Sequence, residues 1–477
     1  MFIFTFLFII IFLFQFISTE VVIPFKQISR NEKEPKYNSS LFLDDNLLFI
    51  PITSLNIGNP SKKIFVVITQ NISDITFHKK DIYILNNEFN YSPLNSDSCE
   101  IIKEINNDKN QKQFFLKDDI ELYEDINLNK KIKSKIMFNF IKDNSNKYNN
   151  HLFEIGFPLN KNLDKLNSSS FIYQLKSSSK INNYKISLHF NSYNSGFYLI
   201  GNYPHYFIPN NFSEYQLIST YSIPNNPSYQ FQIIFDEVYI TNISKINLDS
   251  KKIYFNLDLG LIKATKEYFD QINKLFFDEY YKNKICKKEV IYKNIYDSGY
   301  AMNRLKNYEV ISCIKNGRGH FNIELFPSIC FYHREMNFSF CFDFSDLFEE
   351  KNGIYYFKII KTLNEDKEWQ FGKTFFEKYS TTFDIESRKM YFYNKNILIK
   401  HNTKGNNEKT NLLIVICILL SIILIVISFF LGKKIYQQRK LRKNELDDNN
   451  YDYKSSLSEE VYNNNNNKLI EMNIQKM

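Results

Sequence analysis

Residues 369–384 read Trp-Gln-Phe-Gly-Lys-Thr-Phe-Phe-Glu-Lys-Tyr-Ser-Thr-Thr-Phe-Asp, and this stretch decides the fold. An apolar run that ends in Gly372 precedes a short helix predicted for Lys373–Tyr379 and a second apolar run. An earlier apolar run, Phe153–Gly156, also ends in glycine. The pattern is typical of a chain with two versions of one structural unit, and we place the boundary between them near residue 215.

A second pair of matching segments lies upstream of these two runs. Each is a strand-like apolar run, Phe65–Ile68 or Ile253–Leu257, that leads into a short loop. The second loop carries an acid and a glycine, whereas the first carries neither. If the two loops face each other across one cleft, one of two carboxylates is missing. The loop residues are Thr69, Gln70 and Asn71 in the first copy and Asp258, Leu259 and Gly260 in the second.

The residues between the chain ends predict a mainly β protein. Apolar runs of four to eight residues, many of them β-branched or aromatic, alternate with clusters of Asn, Ser, Asp and Lys. Helical periodicity is limited to Ser168–Lys176, Thr265–Tyr281 and Lys373–Tyr379. The chain is long enough to bury a large core and to form two or more domains.

The chain ends carry two apolar segments that set the topology. Residues 1–19 are typical of a signal peptide, and the alternative is an uncleaved membrane anchor. Residues 412–431 are uncharged and long enough to cross about 30 Å of hydrocarbon. Six Lys or Arg residues follow within 433–443, which places this end in the cytosol by the positive-inside rule. We predict a type I single-pass protein of the plasma membrane or an endolysosomal or vacuolar membrane, with a stalk over 401–411 and a disordered cytosolic tail over 432–477.

Charge and composition exclude several function classes. The net charge of +8 is spread along the 477 residues without a long basic stripe, which argues against a nucleic acid partner. The seven histidines show no metal-ligand spacing, so we predict no metal. We also expect no cofactor, and a monomer.

The cysteines suit an oxidising compartment, because five of the six precede the predicted membrane span. Cys330 and Cys341 flank a predicted hairpin as a directly opposed cross-strand pair, close enough for a disulfide after a small adjustment. Cys286 and Cys313 can close a second loop. Cys99 is left without an assigned partner.

Seven Asn-x-Ser/Thr sequons precede the predicted membrane span. In a chain this rich in asparagine many sequons arise by chance. The one at the tip of the predicted hairpin, Asn337, is the one we expect to carry glycan. The seven are Asn38, Asn71, Asn90, Asn167, Asn211, Asn242 and Asn337.

Six motifs between residues 47 and 394 resemble, in the same order, motifs of the pepsin-like aspartic proteases. The most specific is 369–384, which is similar to that family's Trp-Ile-Leu-Gly, Phe-x-Arg-x-Tyr-Tyr and Val-Phe-Asp stretch. The resemblance implies a mostly β, bilobal fold in which lobes 20–215 and 216–400 enclose a central peptide cleft. The other motifs are Ile57-Gly58-Asn59-Pro60, Leu152–Phe157, Phe171–Leu175, Gly196–Gly201 and Phe326–Ile329.

In that family each lobe presents an Asp-Thr-Gly loop, and the two carboxylates share one proton so that the pair acts as base and acid. By the resemblance, Asp258 is the second-lobe catalytic aspartate, and Thr69 stands where the first is expected. No glycine occurs between Gly58 and Gly156, where the family's flap hairpin is expected. At the remaining loop positions Gln70 and Leu259 replace threonine, Asn71 replaces glycine, and Gly260 matches.

The sequence therefore predicts a membrane-anchored pseudoprotease that binds a peptide or a protein in its cleft. Loss of one member of a catalytic unit costs a factor of about 10⁴ or more in rate. Two alternatives stay open: an active aspartic endopeptidase that uses Asp258 with another partner group, and a surface glycoprotein with a structural or adhesive role. Asp258 is correspondingly either a ligand for a bound peptide amide or water, or a leftover acid in a loop.

Overall fold

The computed structural model divides the chain into two compact units, residues 1–399 and 400–477. The first unit is mostly β, as the sequence predicts. The residues that the structure describes are 20–27, 49, 51–69, 75–79, 91, 93–107, 111–143, 151–157, 169–209, 211–222, 231–240, 244–246, 252–295, 304–315, 321–363, 368–393 and 427–440.

Strands make up most of the described part of the first unit. The strands are β1 Val21–Gln27, β2 Pro51–Ile57, β3 Lys62–Thr69, β4 Ile75–Lys79, β5 Glu100–Asn107, β6 Gln111–Tyr123, β7 Lys131–Asp143, β8 His151–Gly156, β9 Lys185–Ser192, β10 Ser195–Ile200, β11 Leu217–Tyr221, β12 Gln232–Ile234, β13 Glu237–Ile240, β14 Ser244–Ile246, β15 Lys252–Phe255, β16 Ile262–Lys263, β17 Cys286–Ile295, β18 Arg304–Ile314, β19 Ile329–His333, β20 Phe338–Phe342, β21 Phe348–Lys351, β22 Ile354–Phe357, β23 Ile359–Thr362, β24 Trp369–Phe371, β25 Thr381–Asp384 and β26 Lys389–Tyr393. The α-helices are α1 Phe171–Ser177, α2 Pro204–Phe207, α3 Lys266–Phe276, α4 Asp278–Lys282, α5 Phe344–Leu347 and α6 Lys373–Lys378.

One sheet of thirteen strands joins the two sequence halves, in the order β11-β26-β25-β9-β10-β1-β2-β3-β8-β4-β7-β6-β5. β6 also pairs with β1 and β2, which closes this part of the sheet into a barrel-like arrangement. The halves meet where β9 and β25 run antiparallel, with Ser187 opposite Thr382. The two hydroxyls are 2.7 Å apart, and His189 Nδ1 lies 2.9 Å from Ser380 Oγ beside them. The junction is therefore buried and polar.

Two smaller sheets complete the first unit. Eight strands follow the order β12-β15-β24-β16-β23-β18-β22-β21, and β17 adds a ninth by pairing with β18. The other sheet has the order β14-β13-β19-β20. Phenylalanine dominates the packing between these sheets. Phe371, for example, is fully buried and lies 5.0 Å, centroid to centroid, from both Phe331 and Phe375.

The structure confirms both predicted cysteine pairings. Cys330 lies opposite Cys341 on the β19–β20 hairpin, and a disulfide joins them with the Cα atoms 4.0 Å apart. Cys286 and Cys313 are likewise opposed on β17 and β18 and bonded. Cys99 carries a free, half-buried thiol, and burial raises its pKa to about 11. Two disulfides are compatible with an extracellular or secretory-pathway location.

The long helix predicted for Thr265–Tyr281 is interrupted at Phe277. Thr265 begins α3 as its N-cap, accepting a hydrogen bond from the backbone N–H of Tyr268 at 3.3 Å. Phe277 is fully buried, with its ring centroid 5.4 Å from that of Phe357. Packing of this side chain fixes the break between α3 and α4, which helical periodicity alone does not reveal.

A buried histidine lies beside the junction of the two halves. Nδ1 of His205, on α2, is 2.8 Å from the hydroxyl of Tyr393, while Nε2 has no hydrogen-bond partner among the described residues. Burial lowers the pKa of His205, although Glu214 acts in the opposite direction.

Acidification is expected to destabilise the fold through His205. Because the folded-state pKa lies below the ordinary histidine value of 6.5, the stability contributed by the neutral ring is present above about pH 6.5 and is lost as the pH falls through the folded pKa. Urea unfolding of the wild type at pH 7.5 and at pH 5.0 should therefore show a larger drop in stability than unfolding of His205→Phe. Tyr206→Phe, which alters a ring 4.2 Å from His205 without changing a group that titrates in this range, should behave as the wild type. Equal drops in the wild type and His205→Phe would contradict the assignment.

The second unit is described over one helix, α7, at residues 427–440. Among the described residues, no helix combines the length and the apolar character needed to span a membrane. The predicted span 412–431 lies outside the described residues except for 427–431, and so do the predicted signal peptide 1–19 and stalk 401–411. The predicted disordered tail is wrong in its first part, because 432–440 is helical. Gln, Arg and Lys are good helix formers, and here they extend a helix that has already started.

Candidate functional site

Two copies of one strand arrangement carry the predicted loops. In the first copy β8 lies between β3, with which it pairs in parallel, and β4, with which it pairs antiparallel. In the second copy β24 lies in the same way between β15 and β16. In each copy the chain leaves one outer strand, forms the loop and enters the other outer strand. The repeat seen in the sequence is a repeat of structure.

Strand register fixes which loop residues are equivalent. Thr69 ends β3 opposite Gly156. In the second copy the register of β15 and β24 places Asn256 opposite Gly372, and the N–H of Asn256 donates to the β24 backbone at 2.9 Å. Thr69 and Asn256 therefore hold the same position beside the two glycines.

The strands that leave the loops give the same equivalence. Ile75 on β4 and Ile262 on β16 each lie opposite the residue that directly precedes the glycine. Thr69 precedes Ile75 by the same number of residues as Asn256 precedes Ile262. Three strands in each copy agree on this match.

The predicted match of Thr69 with Asp258 is consequently wrong by two residues. The Asp-x-Gly motif of the second loop suggested that match, but the pairing of β15 with β24 determines which residues are equivalent. Asp258 instead takes the position of Asn71. The two equivalent strand ends, Thr69 and Asn256, both lack a carboxylate.

Asp258 nevertheless contacts the first loop. The Thr69 hydroxyl donates to Oδ2 of Asp258 at 3.1 Å, across 189 residues of sequence. The Asp258 carbonyl accepts from the N–H of Phe49 at 2.9 Å. Burial, and secondarily the charge of Asp258, raise the pKa of the fully buried Tyr198. One carboxylate, paired with a hydroxyl, lies where the two loops meet.

Asn256 shapes the second loop through its amide. Its Oδ1 accepts the N–H of Asp258 at 3.0 Å, and its Nδ2 donates to Oε1 of Gln370 at 3.2 Å. An amide both donates and accepts, whereas an ionised carboxylate only accepts. Thr69 and Asn256 can hydrogen-bond a polar ligand, but they cannot share a proton as two carboxylates do.

Helix α6 supports the second loop from behind. The N–H of Lys373 donates to the carbonyl of Leu259 at 2.7 Å, and Thr374 donates to the carbonyl of Gly260 from both its N–H and its hydroxyl at 3.3 Å. Leu259 and Gly260 are buried. These two predicted cleft residues therefore hold the loop in place and do not line its exposed side.

Sequence reasoning missed the buried ammonium group of Lys373. It donates to Oε1 of Gln27 at 2.6 Å and to Oδ1 of Asn194 at 3.2 Å. It also lies 3.7 Å from the ring centroid of Tyr193 and 3.4 Å from the carboxylate of Glu377. Burial lowers the pKa of Lys373 and raises that of Glu377, since each ion is removed from water. The cluster ties first-half residues to the helix behind the Asp258 loop.

A signal for each missed residue is present in the sequence. Counting back from Ile75 and Ile262, the apolar residues that begin the outgoing strands, matches the predicted Thr69 with the missed Asn256. A lysine directly after Gly372, with a glutamate four residues later, marks an ion pair inside an otherwise apolar stretch.

The remaining predicted site residues divide by whether the structure describes them. Gln70 and Asn71 lie outside the described residues. Asn211 and Asn337 are exposed, and Asn337 occupies the hairpin turn with φ 45°. The other sequons, Asn38, Asn71, Asn90, Asn167 and Asn242, lie outside the described residues.

Comparison with known proteins gives no match. No protein-family model matches the chain, and no curated protein matches it. The function is therefore inferred from the site geometry together with the motifs in the sequence.

Proposed function

We propose that this chain is a membrane-anchored, pepsin-like protein of the secretory pathway that binds a peptide or a protein and does not hydrolyse it. One observation carries the proposal: the equivalent strand ends hold Thr69 and Asn256. Aspartic peptidases need two carboxylates that share a proton, one to activate water and one to polarise the peptide carbonyl. At the meeting point of the loops, the carboxylate of Asp258 accepts a hydrogen bond from the Thr69 hydroxyl and not from a second carboxyl group.

The bilobal fold belongs to the same proposal. The duplicated strand arrangement and the sheet shared by both halves support two lobes, 20–215 and 216–400, with the ligand bound between the loops. The half-buried amides of Asn256 and Gln370 suit the backbone amides of an extended peptide, because a side-chain amide also both donates and accepts hydrogen bonds.

The wild-type protein is expected to show no acid peptide hydrolysis above background. The full-length chain, purified in detergent, is incubated between pH 3 and pH 6 with a denatured protein substrate, and new amino termini are counted. Asp258→Ala should give the same rate as the wild type, because the catalytic pair is already absent. Hydrolysis by the wild type that Asp258→Ala abolishes would establish an active endopeptidase and overturn the proposal.

Binding is tested separately with a statine-containing peptide, whose hydroxyl replaces the scissile carbonyl. We expect binding without turnover, weakened at least about tenfold by Asn256→Ala, which removes a central hydrogen-bonding group. Asn211→Ala changes an exposed asparagine elsewhere and should bind as the wild type. Absence of binding, or equal binding by both variants, would favour a structural or adhesive glycoprotein.

A further inference from the structure

Helix α7 changes chemical character along its axis. Its first turns expose large apolar side chains, with Phe429 70% and Phe430 64% exposed. Its later turns carry four cations and no acid. The exposed apolar residues are Ile427, Phe429, Phe430, Leu431, Ile435 and Tyr436. The cations are Lys433, Lys434, Arg439 and Lys440.

Both sets encircle the helix. At about 100° per residue, the four cations leave no empty sector wider than about 140°, and the six apolar residues leave none wider than about 100°. A helix that lies flat in a membrane interface separates the two sets, with an apolar face below and a basic face above. α7 has no such faces: its apolar residues within 427–431 precede all four cations along the axis, and Ile435 and Tyr436 lie between the two pairs of cations.

We infer that α7 leaves a lipid bilayer along its own axis, and that its four cations form a collar that binds anionic phospholipid headgroups. Residues 412–426, which precede the helix in the sequence, contain no charged residue, so the hydrocarbon side lies toward its amino-terminal end. The inference rests on α7, on the uncharged sequence before it and on the membrane anchoring proposed above, and it is independent of peptide binding by the first unit.

Two of the four cations fall within the headgroup layer, and the other two lie just beyond it. A bilayer has about 30 Å of hydrocarbon within about 40–45 Å in total, which leaves about 5–8 Å of headgroup region on each side. Lys433 and Lys434 follow the last wholly apolar turn and fall within that layer. Arg439 and Lys440 lie about 10 Å further along the axis, within about one Debye length of the lipid charges and with side chains long enough to reach back.

The axial orientation is tested by scanning α7 in the full-length chain. Each residue of 427–440 is replaced in turn by cysteine, in a Cys99→Ser/Cys417→Ser background, and spin-labelled in phosphatidylcholine vesicles that contain phosphatidylserine. Contact with oxygen should dominate at 427–431 and contact with a water-soluble nickel complex from about residue 436 onward, with a single crossover between them. Accessibility that oscillates with a period of about 3.6 residues would show a helix lying in the interface and would overturn the inference.

The lipid preference is tested by neutralising the collar. Lys433→Gln/Lys434→Gln/Arg439→Gln/Lys440→Gln should lower the enrichment of phosphatidylserine over phosphatidylcholine around the protein, by up to about fivefold for each cation removed. Lys454→Gln/Lys468→Gln, which neutralises cations in the same tail but outside the helix, should leave enrichment near the wild-type value. No phosphatidylserine enrichment in the wild type, or equal loss in both variants, would contradict the collar.

Discussion

Gly372→Ala is expected to destabilise the protein by about 3 kcal/mol and to displace the Asp258 loop. A Cβ atom at position 372 would lie 2.1 Å from the carbonyl oxygen of Leu259 and 2.5 Å from that of Leu261. Both atoms belong to the backbone, so no side-chain rotation relieves the clash and the loop itself must move. Movement of Leu259 also breaks its hydrogen bond from Lys373 and shifts Asp258 away from Thr69.

Urea unfolding followed by circular dichroism measures the loss of stability. Gly353→Ala is the matched control, because a Cβ at Gly353 meets nothing within 4 Å and the substitution is strained only by the φ of +75°. That strain costs about 1 kcal/mol. Gly372 has an ordinary φ of −107°, so alanine is disfavoured at this position only because there is no space for its Cβ atom. A loss no larger for Gly372→Ala than for Gly353→Ala would show that the loop relaxes freely and that close packing does not hold Asp258.

Trp369→Ala is expected to cost about 4 kcal/mol of stability. Trp369 is fully buried in β24, the strand between β15 and β16, with its ring centroid 4.4 Å from that of Tyr268 and 5.1 Å from that of Phe331. Truncation leaves a cavity in a core that is already filled by aromatic rings, which adds a cavity cost to the lost burial.

Trp369→Phe separates the contribution of ring volume from that of the indole N–H. Trp369 Nε1 has no hydrogen-bond partner in the described part of the chain, so its removal forfeits no such bond there. We expect Trp369→Phe to cost about 1 kcal/mol, well below the alanine variant. Unfolding is followed by circular dichroism and not by tryptophan fluorescence, because Trp369 is the one tryptophan of the chain and both variants remove it. Equal costs for the two variants would mean that the N–H, and not packing, stabilises this position.

Local features of the fold were predictable because the sequence records them directly. The opposition of Cys330 and Cys341 follows from counting outward from one turn, and the β19–β20 register confirms it. The short helix after Gly372 is likewise set by nearby residues, and α6 spans Lys373–Lys378. Such features depend on contacts between residues close in sequence.

Features set by distant partners were predictable only in part. The meeting of the two loops follows from the repeat, and Thr69 does contact Asp258. The equivalence of Thr69 with Asn256 depends on pairing with β8 and β24, each of which lies about a hundred residues away in sequence. The Asp-x-Gly motif led to a match of Thr69 with Asp258 instead, because a sequence shows residue identity but does not show strand register.

The pairing of β9 with β25 has a consequence for biosynthesis. Ser187 and Thr382, which meet in that pairing, lie 195 residues apart. At about 5–20 residues per second, a ribosome needs roughly 10–40 s to supply the second strand after the first. During that interval the outer edge of β9 has unpaired N–H and C=O groups that can pair with another nascent chain. Completion of the sheet therefore waits for nearly the last residues of the first unit, and that edge stays open to other chains until then.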